Sequence, residues 1–496
     1  AGTRPAVLRS GFYVKEVETT GREYSSGITL QGKHQHVSPR GVQHFLFGMN
    51  LQFSGNRGPG RQFDPLKPLS VNSALRPRRF DEIPDFYQLG IYSEYSLSSR
   101  LIRPYSISAG LRGEFFNPQK MGGGSLIKSR NGSFWNPRLG LQVELSKSLQ
   151  VRAAWGYAAK GPALLHLYPA PLYVDVLETG RMGLDTLMTT YVYNLQNEEL
   201  KAYRQQKAEI SLDYVRHPIL ASLTFFRQNT TGIPWEVQLP YTLKTWSWPN
   251  WPSAEGREIV SEQPVLVSGN SQIRNLGWVH NKGAELLIKS QRIPPFNLML
   301  QVSGSYVFTR NGAEASRSVS APQSLLFPDS MNHTVFPVFP FVGGWRDQFI
   351  FKYKLDYLNK NLGLWLTFSI FHKPLERQRY FDKSQSRIYA AGYFEDDTFF
   401  PLSLAEAQKL EIFGMLDPAA RKIFRHPANY FFNLTLSKSL MQGMEMSLFM
   451  NNFFNRHGFY LNPYGIVQAA NPEIFYGIEF SILIQPFVRS LGQGGI

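Results

Sequence analysis

The sequence predicts an all-β protein, a transmembrane antiparallel β-barrel with about 16 strands in this chain. Three observations carry that reading. Apolar residues alternate with polar ones through one segment after another. The connections between those segments alternate between short and long. The composition joins many aromatics (14%) to few charges (18%), with no apolar run of about 18 residues that could form a helical span.

The alternation places strands near 5–17, 24–36, 42–53, 86–98, 104–116, 134–146, 148–158, 202–215, 218–229, 277–290, 296–309, 345–357, 361–372, 428–438, 443–454 and 474–485. In the last of these, Tyr476, Ile478, Phe480, Ile482 and Ile484 share one face, and Gly477, Glu479 and Ser481 the other. Phe349, Phe351, Tyr353, Leu355 and Tyr357 alternate in the same way with Gln348, Lys352, Lys354 and Asp356, and Leu139, Leu141, Val143 and Leu145 with Arg138, Gly140, Gln142 and Glu144. A soluble β-sandwich would also alternate. These strands, however, run about ten to fourteen residues, against about five or six in soluble sheets. Their polar face is rich in Gly, Ser, Thr, Gln and Arg, as a water-filled lumen requires. Tyr, Phe and Trp gather near strand ends, where aromatic girdles meet lipid head groups.

Ser146-Lys147-Ser148, Arg216-His217-Pro218 and Asn359-Lys360 are tight turns. Segments 54–85, 117–133, 159–201, 230–276, 310–344, 373–427 and 455–473 are expected as long loops of one barrel domain spanning 1–487, followed by a tail at 488–496. Outer-membrane barrels pair short periplasmic turns with long extracellular loops, so the chain is expected in a bacterial outer membrane, against its lipid. Hydrocarbon leaves no backbone group unpaired. The strands must therefore close into a ring or join further strands.

Cysteine is absent, which excludes disulfides, thiolate metal sites and cysteine nucleophiles. The net charge of +15 is scattered without a dense basic run, which points to a basic lumen or to anionic lipid head groups and away from nucleic acid. No constellation reads as an enzyme, and no cofactor or metal is implied. His34 and His36 lack a third ligand, and Glu395, Asp396 and Asp397 read as a solvated charge run rather than a calcium site. The best ligand candidates are aromatic. Trp235, Tyr241, Trp246, Trp248 and Trp251 crowd the loop at 230–276, and Tyr168 and Tyr173 lie in the loop at 159–201. Flat rings with a polar edge suit stacking on sugars or aromatic ligands; packing of the loop on itself, or rest at the membrane interface, is the alternative. Ser403 followed by Glu406 has the form of a capping box, and Leu404, Ala407, Leu410 and Ile412 supply an amphipathic stripe behind it. Such a helix packs on neighbouring loops, covers the barrel mouth or meets a surface lipoprotein.

Four stretches carry a family resemblance. They are Asn275-Leu276-Gly277 with Asn281-Lys282-Gly283-Ala284-Glu285; Leu145-Ser146-Lys147-Ser148 with Trp155-Gly156-Tyr157-Ala158-Ala159-Lys160-Gly161-Pro162; Asn433 to Leu440 with Asn451-Asn452-Phe453-Phe454-Asn455; and the final strand from Phe475 to Phe480. In order and spacing over 85–487 the chain resembles the TonB-dependent outer-membrane receptors. The resemblance implies uptake of an extracellular ligand such as a siderophore or glycan, a 22-strand barrel, and a TonB energy-transducing complex acting through an N-terminal plug. No mixed α/β segment precedes the strands here, so the chain is expected to match the C-terminal two-thirds of a receptor and not to be competent alone. A passive 16-strand porin, or a barrel anchoring other envelope subunits in a larger assembly, stands beside that expectation.

Overall fold

A period of two is satisfied by extended chain, and extended chain in hydrocarbon needs a partner on both sides. The computed structural model describes residues 16–39, 41–64, 76–100, 103–117, 132–179, 186–247, 258–318, 327–328, 334–379, 390–395, 398–401, 403, 423–441, 443–462 and 465–482. The first strands are β1 (Glu18–Ser38), β2 (Gly41–Gln62), β3 (Phe86–Arg100), β4 (Pro104–Asn117), β5 (Ser133–Ser146) and β6 (Leu149–Lys160). The helical turn α1 (Leu164–Leu167) and the hairpin β7 (Leu172–Thr179) and β8 (Thr186–Tyr193) follow. Then come β9 (Tyr203–Arg216), β10 (Ile219–Ser247), β11 (Glu258–Ser290), β12 (Leu298–Ser318), β13 (Phe327–Pro328), β14 (Thr334–Asn359) and β15 (Leu364–Arg379). The chain finishes with β16 (Ala390–Glu395), β17 (Thr398–Pro401), β18 (Phe424–His426), β19 (Asn429–Met441), β20 (Met444–Asn451), β21 (Phe459–Leu461), β22 (Val467–Ala469) and β23 (Phe475–Ile482).

The wall is an antiparallel meander. Each long strand pairs with the next long strand in the chain, from β1–β2 through β6–β9 and β15–β19 to β20–β23. Among the described residues sixteen strands make this sheet, with β18 and β19 lying end to end along β15. Among the described residues β1 pairs with β2 and β23 with β20, and hydrocarbon demands a second partner for each of these two edges as well.

Register aligns the alternating residues into two continuous faces. Ile288, Val302, Tyr353, Ile370 and Phe432 stand opposite one another across five strands, as do Leu434, Met450 and Tyr476 across three. Ile210 and Phe225, paired across β9 and β10, are 52% and 53% exposed. So large an open apolar surface marks contact with lipid rather than water. The opposite face is polar and internally paired. Arg152 binds Asp213, which also accepts from Ser222 at 2.6 Å; Arg112 binds Glu114 at 2.9 Å and donates to Asn50 at 2.7 Å.

The short-turn and long-loop alternation is present, but the strands outrun the membrane. Thr231 is the last residue of β10 paired to β9, while β10 and β11 stay paired out to Ser247 and Glu258. Most of 230–276 is thus not a loop but a two-stranded extension of the wall. Sixteen residues at about 3.3 Å each carry it about 50 Å further. Likewise 159–201 contains α1 and the β7–β8 hairpin, and β12 and β14 reach far into 310–344. Backbone pairing continues in water once a hairpin has started, so alternation of side chains, which reports the membrane-spanning part alone, underestimates strand length. The strand expected at 5–17 falls outside the described residues but for Glu16 and Val17, which are not strand.

The two faces predict opposite responses to charge. Val302→Arg, on the lipid side of β12, should destabilise the barrel by about 2–4 kcal/mol. Ser305→Arg, on the polar face opposite Glu285, should change stability by less than about 0.5 kcal/mol. Urea unfolding in lipid vesicles measures both.

Candidate functional site

The long-loop end of the wall is where a ligand would first meet the protein, and polar side chains tie its loops together there. Trp235 lies on the β10–β11 extension opposite Arg274, half-buried beside the fully buried Val237. The backbones of Tyr241 and Trp246 lie on the same ribbon, opposite Val265 and Ile259. Their side chains, and all of Trp248 and Trp251, lie outside the described residues, as do 404–412 and Asp396 and Asp397.

Tyr168 ends α1, and its carbonyl accepts a hydrogen bond from Arg78 at 2.8 Å. Tyr173, on β7, has the Arg76 guanidinium 5.3 Å from its ring centre. One short segment therefore reaches both tyrosines with cations. Burial lowers the pKa of Arg78, and the Gly58 amide, followed by Arg79, holds the Asp81 carboxyl below its usual range.

The aromatic hairpin and the tyrosine loop are also joined. Asn197 donates to the Ile273 carbonyl at 2.9 Å and Gln272 to that of Gln196 at 3.3 Å. Asn275 donates to the carbonyls of Lys201 and Gly232 and accepts the Lys201 amide, at 2.6 to 2.7 Å. The segment before β9 is thus a buttress for the ribbon that carries Trp235. Sequence alternation missed Arg76, Arg78, Asn197, Gln272 and Asn275 as contributors. Of these only Asn275 carried a signal, because it opens a family motif.

The geometry accounts for the rest of that motif. A side chain at Gly277 would come within 2.9 Å of the Ile233 carbonyl where β10 bulges, and one at Gly283 would strike the Tyr306 carbonyl and the Phe226 ring. Asn452, in the other motif, is completely buried with φ of 49°. Its backbone N–H donates to Asn433 at 3.0 Å, and its side-chain amide joins Arg456 to the Pro472 carbonyl, pinning the loop after β20 to the wall.

Among the described residues, the most deeply buried carboxylate of the polar face is Glu376. Glu376, 3% exposed, is bonded by Arg346 and Lys373, with His426 at 3.6 Å. Such a cluster positions a wall segment rather than reacting. Among the described residues no group of three or more His, Asp or Glu could hold a metal ion. His34 and His36 stand exposed on β1, opposite Phe45 and Gln43.

A family model described as "TonB dependent receptor-like, beta-barrel" matches residues 5–394. The chain belongs to this family of TonB-dependent receptors. It is a family of outer-membrane receptors and transporters, and this barrel is accordingly a bacterial outer-membrane protein. No curated protein sequence matches it. The fold is similar to that of the ferric enterobactin receptor PfeA of Pseudomonas aeruginosa. For one mutant of PfeA the TM-score is 0.52 at 14% identity, and for another, in complex with enterobactin, 0.53 at 13%. In both, 93% of this chain covers 54% of that one, so the chain spans about half the length of these receptors.

The buttress makes a local prediction. In Asn275→Ala the receptor barrel should stay intact, while the amide of Lys201 loses its acceptor. Each hydrogen bond is worth about 1 kcal/mol, so hydrogen exchange across 196–202 should accelerate roughly tenfold or more, with β9 and β12 unchanged.

Proposed function

We propose that this chain forms most of the wall and ligand surface of a TonB-dependent receptor that draws an extracellular ligand into the periplasm. The observation that carries the proposal is the family match over 5–394 to a barrel whose polar face continues into a hydrogen-bonded loop assembly. In this reading the ligand rests on Trp235, Tyr241 and Trp246 of the ribbon, on Trp248 and Trp251 of the sequence between its two strands, and on Tyr168 and Tyr173 of the 159–201 segment. Arg76 and Arg78 next to the two tyrosines favour an anionic ligand with flat rings or sugar faces, such as a siderophore or an acidic glycan. The remaining strands and a plug that contacts TonB belong to the part of the receptor that this chain does not span.

Uptake by the full-length receptor should be saturable and should stop when the proton-motive force is collapsed. Trp235→Ala should weaken ligand binding about tenfold, as loss of an aromatic anchor does, without altering barrel assembly. Flux that grows in proportion to ligand concentration and survives loss of the proton-motive force would instead identify a passive pore.

A further inference from the structure

The polar face is not uniform around the wall. On β15, β19, β20 and β23 the period of two that sends Ile370 and Phe432 to lipid brings Trp365, Phe371, Phe431, Phe449 and Phe475 to the lumen side. Phe371 and Phe431 stand opposite each other, stacked, with ring centres 4.9 Å apart, and those of Phe449 and Phe475 are 5.6 Å apart. Trp365 donates to Asp356 at 3.2 Å yet is 42% exposed, and Phe475 is 60% exposed. Above them, the rings of Phe424 on β18 and Tyr460 on β21 lie 6.1 Å apart.

These rings are spread over the height of the wall. A strand rises about 3.3 Å per residue and tilts by about 40°, so each residue climbs roughly 2.5 Å across the membrane. Counted from the short turns, Trp365 lies at about 4 Å, Phe449 at about 14 Å, Phe371 and Phe475 at about 19 Å, and Phe424 at about 36 Å. Between the lower rings the same strands carry short uncharged groups, Thr367, Asn433, Thr435, Ser437 and Ser447. Charges stand at the borders, Lys352 and Lys354 on β14, Glu445 and Glu479 on β20 and β23. Between Phe371 and Phe424 the strip passes the ion pairs of Glu376.

Other sectors of the lumen side are built differently. β4 to β9 carry charges locked in pairs, Arg112 with Glu114, Arg152 with Asp213 and Lys207 with Glu209. On β9 to β12 a single ring, Phe226, faces the lumen below the loops among the described residues. Oriented ion pairs suit a surface held in one register. Rings and hydroxyls suit a surface that another body moves along, because apolar contact has no preferred direction and each contact is weak. A half-exposed ring facing water is also unfavourable until a flat apolar face covers it.

We propose that the ligand crosses the barrel along this strip, its flat faces passing from Tyr460 and Phe424 to Phe371 and Phe431 and on to Trp365. The proposal rests on the uptake reading and adds the sector of the lumen in which the path opens.

Cysteine is absent from this chain, so an introduced thiol is the only one in it. The test places T435C or S437C on the strip, and T224C or S305C at similar heights on β10 and β12, in a full-length receptor otherwise free of cysteine. Living cells are labelled from outside with fluorescein maleimide, with the proton-motive force intact and after its collapse. T435C and S437C should label at least about fivefold faster with the force intact, and T224C and S305C should change by less than about twofold. Adding F371A/F431A to T435C should slow fluorescein maleimide about tenfold, as loss of aromatic anchors does. A small aliphatic methanethiosulfonate, which gains nothing from the rings, should react with that variant as fast as with T435C alone, which also shows that the barrel is intact. Slow labelling of T435C and S437C in both states would mean that a plug segment stays seated on the rings, and would overturn the path. An undiminished rate in F371A/F431A overturns it too. A response at T224C or S305C instead overturns the path and leaves the uptake reading standing. No response at any of the four positions overturns the path, and the saturable, force-dependent uptake measurement then decides the uptake reading by itself.

Discussion

The peptide group cannot be left unpaired in hydrocarbon, and the architecture of this chain follows from that constraint. Pairing every N–H and C=O across strands produces an antiparallel meander, and the meander fixes register. Register in turn sends odd and even residues to opposite faces. The same ladder that satisfies the backbone therefore also separates lipid from water. Ile210 against Phe225 on one side, and Arg152 against Asp213 on the other, are consequences of a single pairing of β9 with its neighbours.

Loop organisation obeys a different rule. Beyond the membrane the backbone has water as an alternative partner, so order there depends on specific side chains. Asparagine performs much of this work. Asn275, Asn197 and Asn452 each offer a donor and an acceptor from one short side chain, enough to bridge two loops. The ribbon that carries Trp235 is held indirectly, through backbone carbonyls of its own and of the segment beside it.

This division explains what could be read from the sequence. The wall was legible because lipid on one face and water on the other write a period of two that needs no alignment to see; Tyr476 to Ile482 and Phe349 to Tyr357 show it plainly. Strand ends were not legible, because in water both faces of the β10–β11 ribbon meet similar surroundings and the alternation fades. The buttress at 196–201 was not legible for another reason. Its bonds join residues more than seventy positions apart, and an isolated Asn announces no partner. Trp235 stands out in the sequence by its clustering with other tryptophans, as a candidate only, whereas Arg76 and Arg78 give no such signal and emerge from their contacts with Tyr173 and Tyr168.

The β10–β11 ribbon behaves mechanically as a mast. Above Thr231 it has lost the third strand that stiffens the wall, and two-stranded ribbons on their own are weak in water. Its ladder slips register between Thr231 and Trp235 and again between Gln238 and Pro240, so bending concentrates near its foot. The hydrogen bonds from Asn197, Gln272 and Asn275 act as stays at that height. The paired strands from Pro240 to Ser247 can sway above those stays while the foot remains fixed to the rim of the barrel.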